Sequence, residues 1–248
     1  MILSNNDNNN NNIHRFELDR VAFYGRTMSE YLMMFGLDDI SLLKKYNTIL
    51  DCPSGASSFV AEAAAYGINA VGCDPLFDKD LRILHEQGDK DIEYVVQRVS
   101  ETPDLYNWEF YSSVDKLKEL RKLALRHFIS DYADGVKEKR YIKGMLPRLP
   151  FGDKTFDLVL SGHFIFKYSH RFDFSFILSS LVELVRVSCR EVRIYPIQKS
   201  SLQAYEHMTK LLDILKRKHR IDYKIVIVSF EFQKGNDKML RLSLSHKQ

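Results

Sequence analysis

The stretch from Asn47 to Asp74 constrains the fold more than any other part of the chain. "NTILD" is a short apolar run, "CPSGASS" a bend of small residues, "FVAEAAAYG" a helical pattern closed by glycine, and "NAVGCD" a second apolar run. Strand, tight turn, helix and strand in so few residues make a βαβ unit, with parallel strands and a right-handed crossover. The alternation then continues. "KRYIKG" (139–144) reads as a third strand, and "FDLVLSG" (156–162), after the turn signal "FGDKT", as a buried one. "FSFILSSLVELVRVS" (174–188) fits a helix, "REVRIYPI" (190–197) a strand and "SLQAYEHMTKLLDILKRKH" (201–219) another helix. "YKIVIVSFEFQ" and "MLRLSLS" flank "KGND" as a terminal β-hairpin. This order predicts an α/β, doubly wound, Rossmann-like sheet of seven strands, mostly parallel, with an antiparallel C-terminal hairpin.

Two segments lie outside that alternation. Residues 75–138 carry long amphipathic patterns, notably "SVDKLKELRKLALRHFISDYADG" (113–135), and are too long for an ordinary connection. They predict a helical insertion that caps the site. Upstream, "FYGRTMSEYLMMF" offers Thr27 or Ser29 as a helix N-cap, and "LDDISLLKKY" reads as a second short helix.

Composition narrows the class. A chain of 248 residues, 45% hydrophobic and 28% charged, suits one globular domain over residues 13–248. The Asn-rich residues 1–12 are expected to be a disordered tail, because they bury too little apolar surface to offset their ordering entropy. A net charge of +3 does not mark a strongly basic nucleic-acid binder. Cys52, Cys73 and Cys189 show no CxxC spacing, so neither a metal centre nor a disulfide framework is expected, and a reducing cytoplasm is the natural setting. No stretch approaches the ~20 apolar residues of a membrane span, and residues 1–12 do not read as a secretory leader.

In an open parallel sheet, ligands bind beyond the carboxyl ends of the strands near the switch point. Asp51 closes the first strand and Asp74 the second. Asp74 lies about 20 residues beyond the turn, the spacing at which a carboxylate reaches ribose hydroxyls, although either acid also suits a helix cap. The turn keeps Gly55 but lacks the glycines that let a pyrophosphate approach, and Pro53 stiffens it. Such a loop suits an adenosine with an amino-acid tail.

At "ILDCPSGASSF", "AVGCDP" and "LPRLPFGDKTFDLVLSGHFIFKY" the chain resembles the class I S-adenosylmethionine (SAM)-dependent methyltransferase family, in a bacterial-type subgroup, over about residues 16–245. The resemblance implies S-adenosyl-L-methionine as cofactor and a small-molecule methyl acceptor. It implies Asp51 near the methionine amino group, Gly55 at the close approach, Asp74 on the ribose, and Pro75 and Leu76 beside the adenine. Cys52, Pro53, Leu146 and Ser161 complete the implied cofactor shell. The acid that often contacts the adenine amino group in the family aligns with Met145, which predicts modest affinity.

Arg26 is a candidate for the SAM carboxylate, the alternative being a surface pair with Glu30. His163 is the candidate general base, with Tyr168 and His170 as substrate contacts. The motif "[DN]PP[YF]" expected for methylation of base amino groups is absent, the position reading Ser161-Gly162-His163-Phe164. The basic run Arg121, Lys122, Arg126, Lys137, Lys139 and Arg140 alternates with Glu119, Asp131, Asp134 and Glu138, and reads first as a solvated helix face, second as a phosphate contact. The alternatives to a small-molecule methyltransferase are a non-catalytic SAM binder and an RNA or protein methyltransferase.

Overall fold

The structure is a computed structural model that describes residues 20–245 apart from residues 38 and 202. The Asn-rich tail lies outside the described residues. The strands are β1 (Ile49–Asp51), β2 (Ala70–Asp74), β3 (Tyr141–Lys143), β4 (Phe156–Gly162), β5 (Ser188–Tyr195), β6 (Ile221–Ile227) and β7 (Lys238–Leu244). The α-helices are α1 (Met28–Met34), α2 (Phe59–Ala65), α3 (Leu81–Ser100), α4 (Val114–Lys137), α5 (Phe174–Val187) and α6 (Met208–His219). Ile40–Lys45 forms a 3-10 helix.

All seven strands join one sheet in the order β3-β2-β1-β4-β5-β7-β6. Every pair from β3 to β5 is parallel, and β7 runs antiparallel between β5 and β6. The order reverses between β1 and β4, which is the switch point. Side chains alternate across a strand, so Ile49, Leu158 and Leu160 enter a core with α1, α2, α3 and α4, while Leu50, Val159 and Val192 enter a second core with α5 and α6. Each such aliphatic side chain, fully buried, contributes about 1.5–3 kcal/mol. The doubly wound reading of the sequence holds.

Three local expectations change. The helix expected over 201–219 begins only at Met208. Before it, a bridge between Gln198 and Ala204 and the burial of Ser200 and Tyr205 hold the chain in a compact loop. The terminal hairpin is not closed by "KGND" alone, because β6 ends at Ile227 and β7 starts at Lys238. Phe230 and Phe232 leave the ladder to pack on Tyr111 and Tyr106, with ring centroids 6.3 Å and 4.6 Å apart. In the insertion, α3 and α4 form a pair, and Arg121 of α4 is 1% exposed rather than part of a solvated face. Arg126, Lys137 and Lys139 are exposed and Lys122 is partly so, with Lys122 near Glu93 and Lys137 on Asp134, whereas Arg140 is only 15% exposed and is held by Asp131 and Glu138.

Candidate active site

The carboxyl ends of β1, β2 and β4 converge on one cavity of about 130 Å³. Pro53, Ser54 and Gly55 line it from the loop after β1, Asp74 from the end of β2, and Gly162, His163 and Phe164 from the end of β4. An N-terminal strap, residues 20–27, passes over it and contributes Ala22, Tyr24 and Arg26. Val95 and Val99 of α3, with Tyr106, close one side. Phe232, Gln233 and Asn236 of the hairpin loop close another. Backbone bonds clasp these last two walls together, Asn107 N donating to Phe232 O at 2.7 Å and Lys234 N to Leu105 O at 3.0 Å.

The strap meets the β1 loop backbone to backbone. A Cβ on Gly25 would lie 1.8 Å from the Ala56 carbonyl oxygen, so only glycine allows the crossing. On the other side Gly55 has φ +54°, and a Cβ there would meet Tyr24 O at 3.1 Å. The strap also takes the start of α2: Ser58 N donates to Arg26 O at 3.1 Å, and Phe59 N bonds its neighbour Ser57 Oγ at 3.0 Å. With both N–H groups already satisfied, the start of α2 offers neither to a phosphate.

Asp74 faces Gly55 across the loop. Its carboxylate accepts the Gly55 N–H at 2.9 Å and the Leu76 N–H at 3.0 Å. Burial pushes its pKa up to about 6, opposed by those two donors. Asp51 lies deeper, fully buried, accepting from Tyr31 Oη at 2.9 Å and Ser54 Oγ at 2.9 Å. Burial raises its pKa to about 7 against those hydrogen bonds. Asp51 therefore acts on the cavity through Tyr31 and Ser54, which line it, and does not itself reach the surface.

Three basic side chains share the space. Arg26 Nε is buried without a hydrogen-bond partner, and its nearest carboxylate, Glu30, is 3.9 Å away. That carboxylate already accepts both arms of Arg121 and the Tyr111 hydroxyl. The surface pair weighed for Arg26 is thus not what forms, since Glu30 is wholly buried. His163 sits at φ +52°, uncommon for a residue with a side chain, and its N–H donates to Tyr195 O at 2.6 Å. Its Nδ1 is buried and unpartnered, and burial, then the charges of Arg26, Lys167 and Arg121, push its pKa well below the usual value. The imidazole is neutral at neutral pH, and the same burial and charges make it a weak proton acceptor. Lys167, also buried, donates to Gln233 Oε1 and, at 3.5 Å, to Lys199 O. Tyr168 lines the cavity with its hydroxyl held by Ala22 N at 3.3 Å.

Of the residues expected from sequence, Arg26, Pro53, Gly55, Asp74, His163 and Tyr168 come together here. The others lie outside the lining. Cys52 and Leu146 point into the α5–α6 core, and Met145 is 65% exposed. Pro75 and Leu76 turn away after Asp74 and are half-buried, the Ser161 side chain is buried within β4, and His170 is exposed. Lys167, Tyr106, Tyr195, Phe232 and Gln233 were not singled out from the sequence. Lys167 alone had a visible signal, a single cation inside the aromatic run "HFIFKY".

No protein-family model matches the chain. The protein MJ0045 of Methanocaldococcus jannaschii is 31% identical over 224 residues, covering 90% of this chain and 96% of its own length. The chain belongs to that protein's family. Among solved structures, the chain is similar to magnesium protoporphyrin IX methyltransferase of Synechocystis PCC 6803 with bound SAM, at 10% identity, TM-score 0.43, and 88% and 81% coverage. It is also similar to a TehB-like SAM-dependent methyltransferase of Corynebacterium glutamicum (14%, TM-score 0.43, 81% and 80% covered) and to the PH0226 protein of Pyrococcus horikoshii (16%, TM-score 0.41, 88% and 91% covered). Similarity this distant transfers no residue role to this chain.

Proposed function

We propose that the chain is a SAM-dependent methyltransferase acting on a small molecule. The observation that carries this reading is Asp74, an acid at the end of the second strand that lines the cavity opposite a left-handed Gly55, in a sheet whose seventh strand inserts antiparallel. Each Asp74 oxygen accepts one backbone N–H and keeps a lone pair for a ribose hydroxyl. Unpartnered Arg26 Nε suits the amino-acid carboxylate. The start of α2, closed by the chain's own oxygens, speaks against a pyrophosphate and hence against a dinucleotide cofactor.

The fit requires movement. The cavity is below the 300–1,000 Å³ of ordinary ligand clefts, so admission of SAM requires the strap to lift from the β1 loop. Once bound, SAM supplies a methyl carbon activated by a sulfonium. The chain's own task is to align the acceptor and exclude water, for which the strap, the α3 end and the hairpin loop form the walls. His163 presents an unpartnered Nδ1 that can accept a hydrogen bond from the acceptor, while burial and the neighbouring cations disfavour full transfer of a proton to it. A nucleic-acid acceptor is less well supported, because the basic residues of α4 mostly pair with neighbouring acids and Arg121 is internal.

Calorimetry with SAM and S-adenosylhomocysteine tests the reading. Micromolar binding is expected, weakened at least about tenfold, or about 1.4 kcal/mol, in Asp74→Ala. Absence of binding at high micromolar concentration sinks it.

A further inference from the structure

We propose that the methyl acceptor is a planar carboxylic acid whose carboxylate is bound by Lys167 at the inner end of the cavity, between the hairpin loop and the exit of β4. The inference rests on the methyltransferase reading for the word acceptor, but the anion site stands on its own geometry. The Lys167 ammonium is buried, yet among the described residues no carboxylate lies within 4 Å of it. Its hydrogen bonds go to a neutral amide oxygen, Gln233 Oε1, and weakly to a carbonyl. Gln233 is itself fixed, donating to Ser200 O at 2.9 Å and accepting from Asn236 Nδ2 at 2.9 Å. Holding an ammonium away from water without a counterion is unfavourable, and a ligand carboxylate would supply the missing charge.

The charge balance favours an anion over a neutral acceptor. Arg26 and Lys167 line the cavity against one surface carboxylate, Asp74. SAM brings an ammonium and a sulfonium against one carboxylate, so its arrival makes the space more positive. An anionic acceptor reverses that. Burial, then Arg26, push the Lys167 pKa down to about 7, consistent with an ammonium in want of a partner. Lys167 is the one cationic donor at this end of the cavity among the described residues, enough for one carboxylate oxygen and short of the several donors that a phosphate can engage. Two aromatic rings, Tyr106 and Phe232, stack on each other at 4.6 Å in the lining, and one aromatic ring of a ligand fits a space of this size.

Benzoate, benzamide and inorganic phosphate, titrated separately into the full chain without SAM, test the proposal. Benzoate is expected to bind at least tenfold tighter than the neutral benzamide, and Lys167→Met to bring the two to parity. A second measurement needs no variant. The other titratable groups lining the cavity are Asp74, Arg26, His163 and the phenols of Tyr24, Tyr31, Tyr106, Tyr168 and Tyr195. Between pH 7 and 9 the Lys167 proton is lost, while Asp74 is already ionised and His163 already neutral. Asp51, beneath Tyr31 and Ser54, ionises near pH 7, and the same titration in Asp51→Asn removes its share. Benzoate affinity should therefore fall close to tenfold per pH unit at the upper end of that range. Equal binding of benzoate and benzamide, or benzoate binding indifferent to pH from 7 to 9, overturns the site. Phosphate binding tighter than benzoate overturns the carboxylate assignment. The SAM titration is run independently, so failure of either reading leaves the other visible.

Discussion

Asp51 lies under the cavity with two hydroxyls on it and no cation, and this arrangement has a measurable consequence. Its folded pKa, about 7, stands above the unfolded value near 4, because burial disfavours the charge more than Tyr31 and Ser54 restore it. A raised acid binds its proton more tightly in the folded chain, so its stabilisation is complete below pH 4 and is lost as pH rises through 7. Asp51→Asn keeps an acceptor for the hydroxyls and removes the titration. Urea unfolding between pH 4 and 7 should show the dependence on pH reduced by up to about 1.4 kcal/mol per unit. Asp74, with a folded pKa of about 6, contributes in the same direction and should account for much of the remainder. An unchanged slope in Asp51→Asn would mean that this carboxyl is ionised when folded. Lys167 works in the opposite sense: its lowered pKa makes the protonated form costly, so Lys167→Met is expected to raise stability at pH 7 even as it removes anion binding.

The strap is held by the insertion rather than by the sheet alone. Arg121 of α4 donates to Glu30 of α1 with both arms, to Tyr24 Oη at 2.9 Å through Nε, and to Gly25 O at 3.2 Å. Burial alone would raise the Glu30 carboxyl, but Arg121 beside it holds it at about 2. Arg121→Met strands a buried carboxylate and should cost about 3–5 kcal/mol in chemical denaturation. The double variant Arg121→Met/Glu30→Gln should recover most of that loss. A double variant as unstable as the single one would place the cost in packing instead. The sequence held a clue to this burial, since Arg121 falls in helical register with Leu117, Ala124, Leu125 and Phe128, all buried. Read as one member of a basic run, it passed for a surface residue. What marks it as internal is Glu30, 91 positions away, and no local pattern reports that partner.

The central sheet was legible because period-two alternation and the β1–α2–β2 turn are local signals, and both survive in the strand order. Arg26, Gly55, Asp74 and His163 were legible for the same reason: each adjoins a strand end or that turn. The far wall was not, since Tyr106, Phe232 and Gln233 meet only after the hairpin loop folds back on the insertion. The cavity they complete is closed on several sides, and on the proposed reading the strap lifts to admit the cofactor. Hydrogen exchange should therefore find the amides of residues 23–27 protected further when SAM is bound, while those of β4 stay unchanged; protection unaltered at the strap would mean that SAM enters elsewhere. The crossing of Gly25 over Ala56 also bears on how such a chain can diverge. With an imagined Cβ only 1.8 Å from that carbonyl, no single substitution at Gly25 can be absorbed by a neighbouring rotamer. A descendant that changes Gly25 must reroute its strap in the same evolutionary step, and in doing so it releases the Ser58 N–H that now donates to Arg26 O.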